Sequence, residues 1–326
     1  MTVNSILRFY RSVSVFSILG FLSLYQTCSA ATMPQDHAEG SLPKVHFLRY
    51  QENWSVLKGI PSSQLSRHDH IKFIALDSQD RNWLSLGGHF RVRAENWSNF
   101  AFSAPRNNDD SFVLWRMTGH ADLHLGRHHR FFLEGKSALA TDRDLPGGKR
   151  TLDVDTYALQ QAFWDVRLSI TDNTTLTIRP GRQELLLGKQ RLVSPLPWGN
   201  SLRSWDGVSL LIESRNWRTH GFWTQFSPVD QYGFNDSDQD SLLFGLYSSR
   251  SLAHTALDLY WLGIDRKQAS FNGSSGSELR HTLGSHVSGQ STILDGMDYD
   301  VEVAYQFGHV GRADIQAYMF ASEIGH

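Results

Sequence analysis

Two strand-length stretches of the chain alternate between polar and apolar positions, and their polar positions carry charge. Over residues 84–95 every second position is apolar or glycine, and the positions between them include Arg91 and Arg93. Residues 112–125 repeat the pattern, with Arg116 on the polar side. A period of two indicates β-strands. A soluble sandwich would bury the apolar faces of these strands, whereas a membrane barrel would turn them to lipid and enclose the charged faces.

Further alternating runs follow along the chain and predict about twelve strands, separated by segments rich in turn-forming residues. Each run is close to the ~9–11 residues that a tilted strand needs to cross a bilayer. The predicted strands cover residues 83–97, 112–125, 128–139, 157–170, 174–187, 203–214, 217–227, 241–250, 254–265, 279–288, 297–308 and 311–322.

The segments between these runs alternate in length, which predicts short turns at one end of the sheet and long loops at the other. Such asymmetry is typical of a transmembrane antiparallel up-and-down β-barrel. The tight connections are 126–127, 171–173, 215–216 and 309–310. The long connections are 98–111, 140–156, 188–202, 228–240, 266–278 and 289–296.

The N-terminus has the pattern of a secretory signal peptide. Arg8 and Arg11 precede an apolar run that is too short to span a membrane, and small residues follow it. We therefore predict a signal peptide over residues 1–30, a periplasmic lead-in over 31–80 and the barrel domain over 81–326. Cleavage would remove the single cysteine, Cys28, so the mature chain would contain no thiol ligand or nucleophile.

Charge and aromatic content agree with a membrane barrel and disfavour binding to nucleic acid. The chain has 31 basic and 33 acidic residues, and loss of Arg8 and Arg11 leaves a net charge of −4. A nucleic-acid-binding domain is usually strongly basic. The 19 Phe, 10 Trp and 10 Tyr residues are enough for two interfacial girdles, although a large soluble β-core could also use them.

The densest motif lies between residues 179 and 207. Gly-Arg-Gln-Glu-Leu at 181–185 is followed by Gly188, by Arg-Leu-Val at 191–193 and by Arg-Ser-Trp-Asp-Gly at 203–207. Further pieces lie at 49–55, 86–91, 116–122, 280–284 and 298–306. In these pieces, taken in order, the chain resembles the alginate-export family of outer-membrane porins from about residue 48 to the C-terminus.

This resemblance implies a monomeric barrel in the Gram-negative outer membrane, without cofactor or enzymatic activity, that passes an anionic polysaccharide such as alginate. An arginine-rich lumen would attract uronate carboxylates, because the guanidinium group offers a planar fork of donors. The alternative role for inward charges is to hold neighbouring strands together. The candidate cations are Arg91, Arg93, Arg116, Lys136, Arg167, Arg179, Arg182 and Arg203. The candidate acidic partners are Glu95, Asp122, Glu134, Asp165, Glu184 and Asp206.

Within this set, Arg182 and Glu184 lie two positions apart, so we expect them to share the inward face. The implied partners of the whole protein are outer-membrane lipids and periplasmic proteins of an export complex, in addition to the polymer.

No metal site is predicted. His120 and His124 would lie about 13 Å apart on one strand, too far to bind one ion. The acidic segment 142–155 could bind calcium, but its spacing is not that of a known calcium loop and favours a solvated loop.

Two other functions remain open, a general or sugar-selective porin and a secreted soluble all-β carbohydrate-binding protein. Because the family barrel has more strands, we expect a truncated member or a barrel that closes with fewer strands.

Overall fold

The computed structural model describes residues 43–102, 108–291 and 296–326, and the predicted signal peptide lies outside them. Thirteen strands form one antiparallel sheet in sequence order. Since neighbours along the chain are neighbours in the sheet, the predicted all-β, up-and-down fold class is confirmed. Among the described residues, β1 pairs only with β2, and β13 pairs only with β12.

The twelve predicted strands correspond to β2–β13, and β1 is an additional two-residue strand in the lead-in. The strands are β1 (Ile74–Ala75), β2 (Asn82–Trp97), β3 (Asp110–Leu125), β4 (His129–Ala140), β5 (Asp155–Thr171), β6 (Thr174–Gln183), β7 (Ser204–Ser214), β8 (Trp217–Ser227), β9 (Ser241–Ser251), β10 (Thr255–Phe271), β11 (Ser274–Gln290), β12 (Asp298–Val310) and β13 (Ala313–Gly325). The helical segments are the short helix α1 (Asp69–Lys72) and the 3₁₀ turns Arg49–Gln51, Trp54–Leu57, Ser62–Gln64 and Phe100–Phe102. None of the described helices is both long and apolar enough to cross a membrane.

The predicted alternation of connection lengths holds from β2 to β9 and then changes. Long connections follow β2, β4, β6 and β8 at one end of the sheet, and their described residues are 98–102, 108–109, 141–154, 184–203 and 228–240. The short connections 126–128, 172–173, 215–216 and 252–254 lie at the other end.

Beyond β9 the chain departs from the predicted pattern of loops. The predicted loop 266–278 is instead the extended end of a hairpin in which Phe271 pairs with Ser274. Asn272 and Gly273 both have positive φ, 47° and 78°, which is the geometry of a tight hairpin turn. β11 ends and β12 begins at the short-turn end, and the tight turn 311–312 lies at the long-loop end.

The burial of polar and apolar side chains on the two faces of the sheet is the reverse of that in a soluble protein. Charged side chains on one face are buried, with Arg116 and Glu134 each 4% exposed. Apolar side chains on the other face are open, with Met117 58% and Leu133 53% exposed. We call these the inner face and the outer face. Soluble proteins rarely bury unpaired charge or expose broad apolar surfaces, so this arrangement matches a sheet with lipid outside.

Aromatic side chains form a row across the outer face of the last six strands. Trp223 of β8 lies beside Phe244 of β9, which contacts Trp261 of β10. The row continues on β12 and β13, where the rings of Tyr305 and Tyr318 are 5.0 Å apart. Aromatic rings at one level of a barrel are typical of a membrane–water interface, so the row agrees with the predicted girdles.

The inner face is concave, because one loop contacts strands from both halves of the sheet. Residues 184–203 reach β3 through Arg116, which donates to Gly199 O at 3.0 Å. The same loop reaches β13, where Arg191 lies 3.1 Å from Glu323. Only a curved sheet brings β3 and β13 within reach of a single twenty-residue loop.

Candidate functional site: the charged interior

Four cations of the inner face form one group on three adjacent strands, β2, β3 and β4. Alternation along each strand turns Arg91, Arg93, Arg116 and Lys136 to the same side of the sheet. We call these four residues the basic cluster. Like charges so close together need nearby acceptors to be stable, and most of the acceptors come from loop 184–203.

The basic cluster donates to backbone carbonyl oxygens of this loop. Arg91 Nη1 lies 3.1 Å from Pro197 O, and its second terminal nitrogen contacts Gly199 O. Arg93 Nη1 donates to Trp198 O, and its other terminal nitrogen lies 2.6 Å from Glu95. Lys136 Nζ lies 3.3 Å from Leu202 O. Four of the eight predicted cations are therefore brought together, and a loop occupies much of their donor capacity.

Lys136 also forms a buried ion pair with the first residue of β5, Asp155. Its Nζ lies 2.7 Å from Asp155 Oδ2, and both side chains are fully shielded from solvent. Nearby, Glu184 accepts a hydrogen bond of 2.7 Å from Gln160 Nε2. Burial and the neighbouring Glu134 raise the pKa of Glu184 to about 8.

Arg179 lies deeper in the interior and serves a different group. It binds both carboxylate oxygens of Asp165, at 2.6 and 2.8 Å. Its guanidinium also lies 4.3 Å from the ring centre of Tyr50 and 4.0 Å from that of Phe163. A paired and stacked arginine of this kind holds structure together and has little capacity left for a ligand.

A similar pair lies nearer the short-turn end. Asp122 accepts two hydrogen bonds from Arg130, at 2.7 and 2.6 Å. The side chain of Asp122 therefore binds a neighbouring strand of the sheet. Glu134 does the same, because it accepts a hydrogen bond of 3.4 Å from Gln161.

Arg182 and Asp206 are on the outer face, contrary to the expectation from the sequence. They bind each other at 2.7 and 2.6 Å. Along β6 and β7 they lie on the same face as the apolar residues Ile178 and Val208. Glu184 does point inward, but it lies beyond the end of β6, where the chain has already turned into the interior. Two-residue spacing therefore did not place Arg182 and Glu184 on one face.

Arg167 and Arg203 are exposed and stand apart from the basic cluster. Arg167 lies near the short-turn end of β5. Arg203 is the last residue before β7, and its guanidinium lies 5.9 Å from the ring centre of Phe226. Both positions are accessible to solvent in the structure.

The other half of the interior is acidic, and this grouping was not identified from the sequence. Asp300, Glu302 and Glu323 of β12 and β13 surround Arg191 at 3.0, 2.7 and 3.1 Å. We call these three carboxylates the acidic cluster. The alternation of Asp300 and Glu302 is visible in the sequence, whereas Glu323 lies beyond the predicted last strand. Nothing in the sequence indicates that Arg191, over a hundred positions away, would bind these carboxylates.

The acidic cluster extends into a buried hydrogen-bond network. His286 lies 2.9 Å from both Asp258 and Asp300, and so bridges β10 and β12. The hydroxyl groups of Tyr247 and Tyr260 donate to Asp258 and Glu302, each at 2.8 Å. These contacts satisfy most of the carboxylate oxygens in this half of the interior.

Part of the predicted lead-in also lies against the inner face. Arg130 of β4 contacts the carbonyl oxygen of Tyr50, and the Tyr50 ring lies 5.2 Å from Phe163. Glu52 is buried and binds Arg49 at 2.7 Å and Trp54 Nε1 at 3.0 Å. The segment around Tyr50 therefore fills the interior on the short-turn side of the loop.

No group of three metal-ligating side chains occurs in the part of the chain that the structure describes. In the acidic segment that the sequence indicated, three of the four carboxylates bind cations of the protein. Asp153 binds Arg150 at 2.9 Å, and Asp142 lies 3.2 Å from Lys149.

Comparison with known proteins identifies a family over most of the chain. The model of the alginate-export family matches residues 82–326. No curated protein matches the chain. Among solved structures, the crystal structure of Acinetobacter baumannii OccAB1 is 12% identical, with a TM-score of 0.33, over 74% of this chain and 65% of that one. The chain thus spans about two thirds of the length of that protein.

Proposed function

The chain belongs to the alginate-export family and is an outer-membrane protein, and we propose that it forms a channel for an anionic polysaccharide of the alginate type. The proposal includes a monomeric state, no catalytic residue, and delivery of the polymer by periplasmic proteins. It extends the family assignment to a substrate class and to the residues that would contact the polymer.

One observation carries the substrate class: the basic cluster lies on the inner face. Three arginines and one lysine on adjacent strands present their donors to one region of the interior. A uronate unit carries one carboxylate, which a guanidinium group can bind with two parallel hydrogen bonds. A row of such donors in a channel with low-dielectric walls would attract a polyanion and exclude cations.

The acidic cluster on the opposite side supports passage as well as binding. A channel lined only with arginines would retain a polyanion, because conduction needs sites that are weak enough to leave. Asp300, Glu302 and Glu323 lie across the interior from Arg116, and loop 184–203 connects the two sides through Arg191 and Gly199. Repulsion from these carboxylates would hold the polymer on the arginine side without trapping it.

Conductance of the purified protein in planar bilayers tests this function. We expect an anion-selective pore whose current is blocked by uronate oligomers and not by neutral glucose oligomers of equal length. Arg93→Gln should weaken the block by about tenfold, since one charge-assisted hydrogen bond contributes roughly 1.5–3 kcal/mol. Arg215→Gln, in a short turn outside the basic cluster, is the matched control and should leave the block unchanged. A cation-selective pore that ignores uronate oligomers would contradict the proposal.

A further inference from the structure

Loop 184–203 crosses the interior and is held there chiefly by polar contacts. On the basic side, Pro197, Trp198 and Gly199 present carbonyl oxygens to the arginines of β2 and β3. Asn200 adds side-chain hydrogen bonds to the carbonyl oxygens of Trp115, at 3.2 Å, and of neighbouring wall segments. The loop therefore closes the region in which a ligand of the basic cluster would lie.

The other part of the loop is held by ion pairs. Arg191 contacts all three carboxylates of the acidic cluster, and Lys189 lies 3.2 Å from Asp300. Burial alone would lower the pKa of Arg191, but the hydrogen bonds that it donates to Glu302 and Asp300 raise this pKa, so the guanidinium stays charged. Loop 184–203 therefore contacts both the basic and the acidic half of the interior.

Apolar packing beneath the loop is limited to one patch. Leu185, Leu187 and Val193 of the loop lie in a core of nine buried residues that includes Tyr247 and Tyr260. Gly188 fits directly above the Tyr247 hydroxyl, where an added Cβ would approach it to 2.2 Å. The tip of the loop is outside this core, and Trp198 beside Arg93 is 61% exposed. The exposed Trp198 therefore lies within the part of the loop that is bound to the arginines.

The chemistry of the tip makes it a weak competitor for those arginines. A backbone carbonyl has only a partial negative charge, whereas a carboxylate has a full charge and two acceptor oxygens. A guanidinium group can bind a carboxylate through two parallel hydrogen bonds, which adds both strength and geometric specificity to the contact. A uronate chain arriving at Arg93 and Trp198 can therefore replace the loop carbonyls one arginine at a time.

We propose that loop 184–203 is a displaceable plug, which occupies the carboxylate-binding positions of Arg91, Arg93 and Arg116 until a polyanion takes them. The inference rests on the proposed function, because it requires a uronate polymer to bind the basic cluster. The plug narrows the path of the polymer while small ions still pass, and it is displaced when a polymer binds. In energetic terms, the ligand shifts the loop between two states by binding only the open one.

Thiol accessibility of buried loop serines tests the plug. In a Cys28→Ser background, Ser201→Cys introduces a single thiol at a position that is 2% exposed. We expect slow labelling by a water-soluble maleimide, and an increase of about tenfold in the labelling rate when a uronate oligomer is added. Ser194→Cys, 8% exposed in the same loop, is the second variant in case the first does not fold. Ser209→Cys on β7, 0% exposed, is the control whose labelling should not change.

The outcomes separate the plug from the channel function. If uronate oligomers block the current but labelling of Ser201→Cys and Ser194→Cys stays slow, the plug is wrong and the channel proposal stands. Rapid labelling without oligomer would also overturn the plug, because the loop would not be seated at rest. If oligomers neither block the current nor change the labelling, both proposals fail.

Discussion

Individual charges inside this protein fall into those that hold the wall together and those that are held chiefly by a loop. Arg179 is of the first kind, with two hydrogen bonds to Asp165 and an aromatic ring close by on two sides. The arginines of the basic cluster are of the second kind. The distinction predicts different consequences of substitution for the two groups.

Arg179→Leu should strongly destabilise the fold, because it leaves Asp165 buried without its partner. Removing one member of a buried ion pair costs about 3–5 kcal/mol. The free energy of unfolding, measured by urea titration in lipid vesicles, should fall by that amount. Arg167→Leu, an exposed arginine flanking the same carboxylate along β5, should change it by less than about 0.5 kcal/mol. Equal effects of the two substitutions would show that Arg179 has no structural role.

Glu184 predicts a pH dependence of stability. Its pKa is raised to about 8 in the folded protein, whereas an unfolded glutamate has a pKa near 4.3. Between pH 4.3 and pH 8 the folded protein keeps a proton on Glu184 that the unfolded chain has lost. The contribution of Glu184 to stability is therefore complete below the unfolded pKa and is lost as pH rises toward the folded pKa. Glu184→Gln should remove this dependence.

The urea midpoint of the wild-type protein should therefore fall relative to that of Glu184→Gln between pH 5 and pH 8. Glu213→Gln is a suitable control, since the Glu213 side chain is 59% exposed and lies 4.0 Å from Arg218. A constant difference between wild type and Glu184→Gln across this range would contradict the assignment of a raised pKa.

Residue positions on the faces of strands were mostly predictable from the sequence. Arg91, Arg116 and Glu134 face inward as their alternation with apolar residues required. Arg182 does not face inward. The prediction failed there because it assumed that Glu184 continues the same strand as Arg182. β6 ends at Gln183, and alternation carries no information about the residues beyond that point.

At the scale of elements, the pairing of β5 with β6 depends on a glycine in the densest sequence motif. Gly181 has a φ of +126°, and an added Cβ would lie 2.2 Å from the carbonyl oxygen of Ala162 on β5. Gly181→Ala should therefore reduce the free energy of unfolding by about 1–3 kcal/mol. Gly135→Ala is the control, because its nearest neighbour would be 3.9 Å away. Similar urea midpoints for the two variants would argue against a close approach at Gly181.

The number and order of strands were predictable, whereas the loops were predictable only in part. Asn272-Gly273 is a local hairpin signal, and its turn could have been predicted from those two residues. The position of loop 184–203 could not. Its anchors on β2 and β12 lie over a hundred residues away along the chain, and no local pattern encodes contacts of that range.

At the scale of the whole molecule, the apolar outer face should respond to charge according to membrane depth. Met117 lies in the middle of β3 and Leu125 at its end, and both are exposed on the outer face. Met117→Arg should cost about 2–4 kcal/mol in lipid vesicles, and Leu125→Arg about 0–1 kcal/mol, because an interfacial arginine reaches water. Equally small costs at both positions would show that the outer face does not contact hydrocarbon.

The claim that connects these scales is that a charged interior carries a uronate polymer across the outer membrane. Its most direct test is the release of fluorescent uronate oligomers from liposomes that contain the purified protein. Uronate oligomers should leave faster than neutral glucose oligomers of the same length, and Arg93→Gln together with Arg116→Gln should remove the difference. Equal release of the two oligomers by the wild-type protein, or faster release of the neutral one, would contradict the account.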